Sequence, residues 1–519
     1  MKHNFKMYYL KSLFLILFGT SLSFSKGVAA KPKESLGEKS TSRTETTIFT
    51  HPGLLNSKAE LDFVKAKIKS GAEPWSSLFN KMKYSNFGNL NWVPKPLSVV
   101  NANSNDASVE NDDATAAYTQ ALLWYFTDNE AYAKKSVAIL NAWSSKLTSH
   151  SSTDLQKQLV AAWCGSVFPL AGEILRSSYP KWTIDEINQF SSMLNNAFLP
   201  LLNSGNPTYN GNWELSMINA LMCIGVFNED STTFNRGVYL WRKRVPAYFY
   251  MTTDGNSPIR PYGTSNYNSE SAIKNYWFNP YKYFDGLCQE TWRDYGHHMQ
   301  MGLAAAVNSA EIAFHQGIDL YAENDKRIMA AMEFQAGPLM GIPASQEFFP
   351  NGFAASDLLP TWEIAYNHFH NRRGFALPMT DTLISKKIRP SYFTTMLNMA
   401  WESLTHAELD FNITGVKSVP QIPANFSLEQ NYPNPFNPST TIRYKISETS
   451  HVTLKVYDLL GREVTILVDE VKQPGVYNSE FTIVNLPAGK QGSHLSSGIY
   501  FYRLHAGNYT ETKEMQLIK

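Results

Sequence analysis

The chain has 519 residues, with 46 basic against 45 acidic side chains and a formal net charge of +1. This balance supplies no basic field to hold a nucleic-acid backbone, and 18% charged with 13% aromatic residues is not the composition of a disordered chain. At about 150 residues per domain the length predicts several domains. Cys164, Cys223 and Cys288 are too few and too far apart for a disulfide framework or a zinc knuckle, and they read as buried free thiols.

In chain order, Lys2, Lys6 and Lys11 precede or flank the apolar run from Leu13 to Phe18, and small residues follow at Val28, Ala29 and Ala30. This layout predicts a signal peptide over 1–30. The polar, aperiodic stretch 31–48 reads as a flexible leader. No segment reads as long enough to span a membrane, which takes about 20 apolar residues.

Over 49–415 the apolar residues recur at helical spacing. The stretch from Ser57 to Ile68 opens on an N-cap, with Leu61, Val64 and Ile68 on one face. Two helices are predicted within Thr115 to Leu147, followed by Val160 to Leu175, Ile184 to Leu202, Leu215 to Val226, Gly302 to Tyr321 and Arg327 to Phe334. Strand signals are sparse there. So many amphipathic helices cannot bury their apolar faces in two layers, which predicts a mainly α fold, an (α/α) toroid of helical hairpins with a cleft at one end. After a linker at 416–424, the Pro- and Asn-rich run from 425 gives way to alternating patterns over Thr441 to Ile446, His451 to Tyr457 and Ser497 to Leu504. A small β-sandwich over 425–519 is expected.

Three clusters carry chemistry. In GLCQETWRDYGHHMQMGL, residues 286–303, a continuous helix would place Glu290, Arg293 and His297 on one face, although Gly296 is positioned to break it. An arginine fork and an imidazole can bind an acidic group and move a proton; Glu290 and Arg293 equally make a structural ion pair. In TWEIAYNHFHNRRG, residues 361–374, Tyr366, His368, His370, Arg372 and Arg373 alternate, with no accompanying residue at a zinc spacing, so no metal is assigned. In TYNGNWELSMINAL, residues 208–221, Asn212 is either a helix cap or an amide donor, and Trp213 either a core anchor or a sugar-stacking platform. Asp112 and Asp113 stand before a predicted helix, where carboxylates cap. No GxSxG elbow, P-loop or dinucleotide-binding glycine pattern is present.

Two resemblances add to this. NYPNPFNPST, VYDLLGREV and SSGIYFYRL resemble the C-terminal sorting domain of type IX secretion systems, which implies export through that machinery to a secreted or surface-attached state. HPGLLNSKAELDFVKAKIKSGAEPW, NDDATAAYTQALLWYFTDNEAYAKKSVAILNAW, NGNWELSM, the 286–303 cluster, AEIAFHQGIDLY and WEIAYNHFHNRRG together resemble the alginate-lyase superfamily over about residues 50–400. That resemblance implies a polysaccharide lyase that needs no cofactor and cleaves a 4-linked uronic-acid polymer by β-elimination. It makes Asn212 a group on the substrate carboxylate, Arg293 its assistant there or the holder of a neighbouring uronate, His297 the first choice for the base or for sharing the carboxylate's charge with His298 its substitute, Tyr366 the acid or, on the epimeric sugar, the base as well, and Glu290 the residue orienting His297. Trp213, His298, His368 and Arg372 become candidate substrate contacts. Trp213 stands where relatives often carry His, and Gln300 where they can carry Tyr, which widens the implied substrate from alginate to glucuronan or another uronate polymer. Two other readings are a glycoside hydrolase using two carboxylates such as Asp113 and Glu290, and a non-catalytic glycan-binding protein.

Overall fold

In the computed structural model the described residues are 49–294, 296–342, 358–391, 395–409, 426–431, 434–472, 475–483 and 495–518. The expected signal peptide, leader and 416–424 linker lie outside them.

The helical region opens with α1 (Lys58–Lys69), capped as its sequence predicts: Ser57 accepts from the Glu60 amide and Glu60 reaches back to the Ser57 amide. Next come α2 (Asp106–Thr127), α3 (Glu130–Ser144), α4 (Gln156–Ser178), α5 (Gly211–Phe227), α6 (Ser231–Arg244), α7 (His297–His315) and α8 (Asp325–Leu339). Short helices α9 (Glu363–Tyr366), α10 (Pro378–Leu383) and α11 (Glu402–His406) complete the set used here. Packing defines two layers. Helices α1, α2, α4, α5, α7, α9 and α11 touch in that order and α11 returns to α1, closing an inner ring. Outside it α3 packs on α2, α6 on α5, and α8 on α10. The mainly α ring expected from the helical spacing is therefore formed.

Inner helices are apolar nearly all round because both sides are covered. In α5 and α7 the buried residues run continuously from Leu215 to Phe227 and from Met299 to His315. Helix α4 corrects the expectation that no segment could span a membrane: by length and composition its 23 residues could. Its apolar window is 89% buried inside the protein, as an inner helix of the ring should be. All three cysteines are buried and free.

The C-terminal strands are β1 (Ser439–Ile446), β2 (Ser450–Tyr457), β3 (Glu463–Lys472), β4 (Gly475–Thr482), β5 (Gly498–Ala506) and β6 (Tyr509–Leu517). A four-stranded antiparallel sheet has the order β6-β5-β2-β3, and β1 pairs with β4 and with Ser427–Leu428 in a second sheet. Alternating inward residues, Val452, Leu454, Val456, Tyr502 and Leu504, build a core of their own. Phe436 of the NPF run is 2% exposed and packs on Phe481.

Candidate active site at one rim of the ring

Five of the inner helices, α2, α4, α5, α7 and α9, begin on a common rim, whereas α1 begins beside the far end of α7. Just before α2 and α4, Thr153 donates its amide to Asn103 Oδ1 (2.8 Å). Gln158 at the start of α4 accepts from Asn206 in the loop leading to α5 (2.9 Å). At α7, Gln300 accepts from the Leu359 amide (3.1 Å) and from Trp362 Nε1 (3.2 Å), just before α9. Helix amides and their partial positive charge thus gather on the rim that carries the first polar cluster.

The Gln289-Glu290 pair caps α5 from outside the helix. Gln289 Oε1 accepts from the Gly211 amide (2.9 Å), and Glu290 Oε2 from the Asn212 amide (3.0 Å). On its other oxygen Glu290 accepts from Asn212 Nδ2 (2.5 Å) and Arg293 Nη1 (2.7 Å), while Tyr248 OH lies 3.2 Å from Oε2. This carboxylate, fully buried, is stabilised by four donors, one of them charged. Asn212 is not the helix cap, which is Asn210. One hydrogen of its Nδ2 is given to Glu290, and among the described residues its buried Oδ1 has no partner. The second Nδ2 hydrogen lies outside that bond, so the amide braces Glu290 and keeps a donor to spare. Its role is to fix Glu290, which in turn fixes Arg293.

Tyr248 is wedged under the rim. A Cβ added at Gly211 would stand 1.9 Å from its ring, and one at Gly302 2.1 Å from its hydroxyl. Only glycine at both positions lets α5 and α7 close on this phenol. Burial first, and the neighbouring Glu290 next, push the Tyr248 hydroxyl well above the ordinary phenol range, so it stays a proton donor.

The continuous helix expected over the 286–303 cluster is broken. Thr291–Asp294 forms one short helical turn, Gly296 takes φ 130°, and α7 starts afresh at His297. His297 therefore does not continue the Glu290 and Arg293 face, and Glu290 contacts Asn212, Arg293 and Tyr248 rather than orienting His297. The break brings Asp294 against His298: one carboxylate oxygen accepts the His298 amide (3.2 Å) and the other bonds Nδ1. Burial alone would raise the Asp294 carboxyl, but the hydrogen bond and charge of His298 hold it below the usual carboxylate range. The Arg293 side chain is 32% exposed and that of His298 28%. The His297 and His298 rings sit edge to face, 5.0 Å apart. Trp213, half-buried and next in sequence to Asn212, lies 4.6 Å from Tyr209 by ring centroids.

The 361–374 cluster goes elsewhere. Tyr366 is 5% exposed, donates to Asp381 Oδ1 (2.8 Å) on α10 and stacks on His370. Burial and Asp381 both raise its hydroxyl, which suits neither a base nor a ready acid. His368 is fully buried and stacked on Tyr321. Arg372 bonds Glu60 (2.8 Å) and Glu311 (2.5 Å). Glu311 lies fourteen residues beyond His297 on α7, about 21 Å along the axis at 1.5 Å per residue. His368 and Arg372, taken from sequence as substrate contacts, thus belong to a buried network at the opposite rim. There Glu60, Glu311 and His315 form a compact donor set that could hold a cation. The Arg372 guanidinium already supplies the positive charge.

The carboxylates of the hydrolase reading are both engaged. Asp113 accepts from Trp92 Nε1 (2.8 Å), the Lys95 amide (2.7 Å) and Trp143 Nε1 (2.7 Å). Asp294, Gln289 and Tyr248, all part of the rim, were not singled out by sequence reasoning.

Comparison with known proteins bears on both regions. Residues 430–519 match the family model described as Secretion system C-terminal sorting domain. No curated protein matches the chain. Solved structures similar to it include alginate lyase A1-III from Sphingomonas species A1, at 14% identity and TM-score 0.45, covering 69% of this chain and 98% of that one. A form of alginate lyase A1-III complexed with a tetrasaccharide is 16% identical, with TM-score 0.46, covering 69% and 99%. The resemblance of the tail to a secretion sorting domain, drawn from the sequence, thus has its counterpart in a family model.

Proposed function

We propose that the protein is an exported polysaccharide lyase that cleaves a 4-linked uronic-acid polymer by β-elimination, leaving an unsaturated uronate end. One observation carries the reading. A guanidinium held by a buried carboxylate and an imidazole held by a second carboxylate stand together, partly exposed, on the rim where α5 and α7 begin. Elimination needs a cation to neutralise the uronate carboxylate as charge develops at C5, and a group to take the C5 proton. Arg293 meets the first need, with Asn212 and Glu290 as its supports, and the His297-His298 pair meets the second. Trp213 offers an aromatic face to a sugar ring. Tyr366 is left out of this reading because its hydroxyl is bonded to Asp381. The sorting tail supports export, with an acidic polysaccharide as substrate and the secretion machinery as partner.

The test is a panel of alginate, glucuronan and glycosaminoglycans incubated with the purified protein. Elimination produces new ultraviolet absorbance from the conjugated C4=C5 bond. New chain ends without that absorbance would establish hydrolysis instead, and retention on a polymer with no new ends would establish a binding protein.

A further inference from the structure

We propose that His298, positioned by Asp294, is the proton-transfer residue of this site; the inference rests on the lyase reading above. The argument starts from the chain break. Gly296 at φ 130° ends the Thr291–Asp294 turn and lets α7 begin at His297, so Asp294 and His298 face each other across the junction. Asp294 then does two things at once. It takes the His298 amide, one of the amides at the start of α7 that have no partner within the helix, and it holds the ring at Nδ1. Burial of Asp294 is outweighed by its bonds to His298, so it is kept ionised. An ionised carboxylate only accepts hydrogen bonds, so the proton between the two must sit on Nδ1. In the neutral ring this leaves the lone pair on Nε2. The side chain is 28% exposed and carries that atom on the far edge of the ring from Asp294.

The neighbours supply what a proton acceptor at this place needs. Arg293, one residue before Asp294, is held by Glu290 Oε1 (2.7 Å) and is itself 32% exposed, so its cation is available to a uronate carboxylate close by. His297 stands 5.0 Å away by ring centroids. In the reaction His298 Nε2 takes the C5 proton. The C5–H electron pair becomes the second bond of C4=C5, the C4–O4 bond breaks with its pair passing to O4, and the imidazolium returns the proton to O4. No water, oxidant or reductant is consumed, and the imidazole ends neutral. Asp294 touches neither sugar nor reacting atom and is a positioning residue.

Two measurements test this on the full chain. In the first, His298→Ala, His297→Ala and Asp294→Asn are assayed on whichever polymer of the panel is cleaved. His298→Ala should lower kcat by about 10²-fold or more with KM little changed, and free imidazole should restore part of the rate. Asp294→Asn presents a side chain that can also donate, which permits the wrong tautomer, and should lower kcat at least about tenfold with KM unchanged. His297→Ala should lower kcat less than His298→Ala does, since His297 packs against the transferring ring rather than being held by Asp294. In the second, nitrogen-15 NMR of histidine-labelled protein should show His298 protonated at Nδ1 in the wild type, with that tautomer lost in Asp294→Asn. A His298→Ala enzyme at near-normal kcat, or a His298 protonated at Nε2 when neutral, overturns the inference. Should His297→Ala alone abolish elimination, the lyase reading survives and this assignment falls. Should no polymer yield unsaturated ends, the lyase reading falls and takes the proton-transfer role with it, while the NMR result still decides whether Asp294 fixes the ring.

Discussion

Glu290→Gln is the most informative perturbation of the rim, because it keeps size and shape and changes only charge and the acceptor on one side. In the native site the two carboxylate oxygens serve different donors: Oε1 takes Asn212 Nδ2 and Arg293 Nη1, and Oε2 takes the Asn212 amide and lies near Tyr248 OH. A glutamine that keeps its oxygen toward Arg293 turns its NH2 toward the Asn212 amide. Tyr248 can rotate its hydroxyl to accept, but the backbone N–H cannot. One buried amide without an acceptor costs about 1–3 kcal/mol. Arg293 is 32% exposed, so water replaces much of its lost charge pairing, adding about 1 kcal/mol or less. The sum is about 1–4 kcal/mol, or about 2–8 °C in Tm at about 2 °C per kcal/mol for a large domain. Thermal unfolding followed by circular dichroism measures it. Adding Asn212→Asp should recover part of the loss, since the glutamine can then turn over, giving its NH2 to the new carboxylate and its oxygen to the backbone amide at position 212. A single variant with wild-type Tm, or a double variant less stable than the sum of its two parts, would refute the donor and acceptor count.

Three further outcomes follow from the same coordinates. Gly302→Ala forces a Cβ to 2.1 Å from the Tyr248 hydroxyl and should destabilise by about 1–3 kcal/mol or more, read as a lower denaturant midpoint. Arg372→Ala leaves Glu60 and Glu311 buried without their cation and should cost about 3–5 kcal/mol. Burial would raise Glu60, but His315 and Arg372 depress it, so its contribution to stability is full above the ordinary carboxylate range and is lost as pH falls below it. In Arg372→Ala, stability should therefore fall less steeply on acidification than in the wild type. Glu402 is the opposite case. Among the described residues no donor stands at hydrogen-bond geometry to either oxygen, and burial, then the charge of Glu363, raise its carboxyl well above the usual range against the opposing effect of Thr361. Its raised pKa means the folded state loses stability as pH rises from the unfolded carboxylate value toward the folded one. The Tm advantage of Glu402→Gln over the wild type should grow from about pH 4 to pH 7; parallel curves would refute the buried neutral acid.

The ring was legible in the sequence because each inner helix announces itself locally. Ser57 with Glu60 spells a capping box, and the apolar runs from Leu159 and Leu215 have no polar face to offer solvent. Starts were harder to place than interiors. Helix α7 begins five residues before the predicted Gly302, because His297 and His298 are polar and only the Asp294 carboxylate makes them a helix start. The strands of the tail were read from period-two alternation, which β2 follows from Ser450 to Tyr457. The buried role of Phe436 was not readable, since its partner Phe481 lies forty-five residues away.

The polar residues divide along a physical line. Contacts between residues within four positions were open to sequence reasoning, and Glu290 with Arg293 was recognised on that basis. Asp294 with His298 has the i, i+4 spacing of the same rule, yet a search for one continuous helix passed over it, because Gly296 had to break the helix before the two could meet. Contacts that cross the fold left no such trace. Nothing local joins Asn212 to Glu290, seventy-eight positions apart, or Arg372 to Glu60, three hundred and twelve apart. In both pairs the buried carboxylate is charge-neutralised by an arginine, but only Arg293 is also partly open to solvent, whereas Arg372 is 4% exposed. Motifs alike in composition therefore separate by exposure: the 289–298 rim keeps a cation and an imidazole at the surface, and the 366–372 segment uses the same residue types to close the ring.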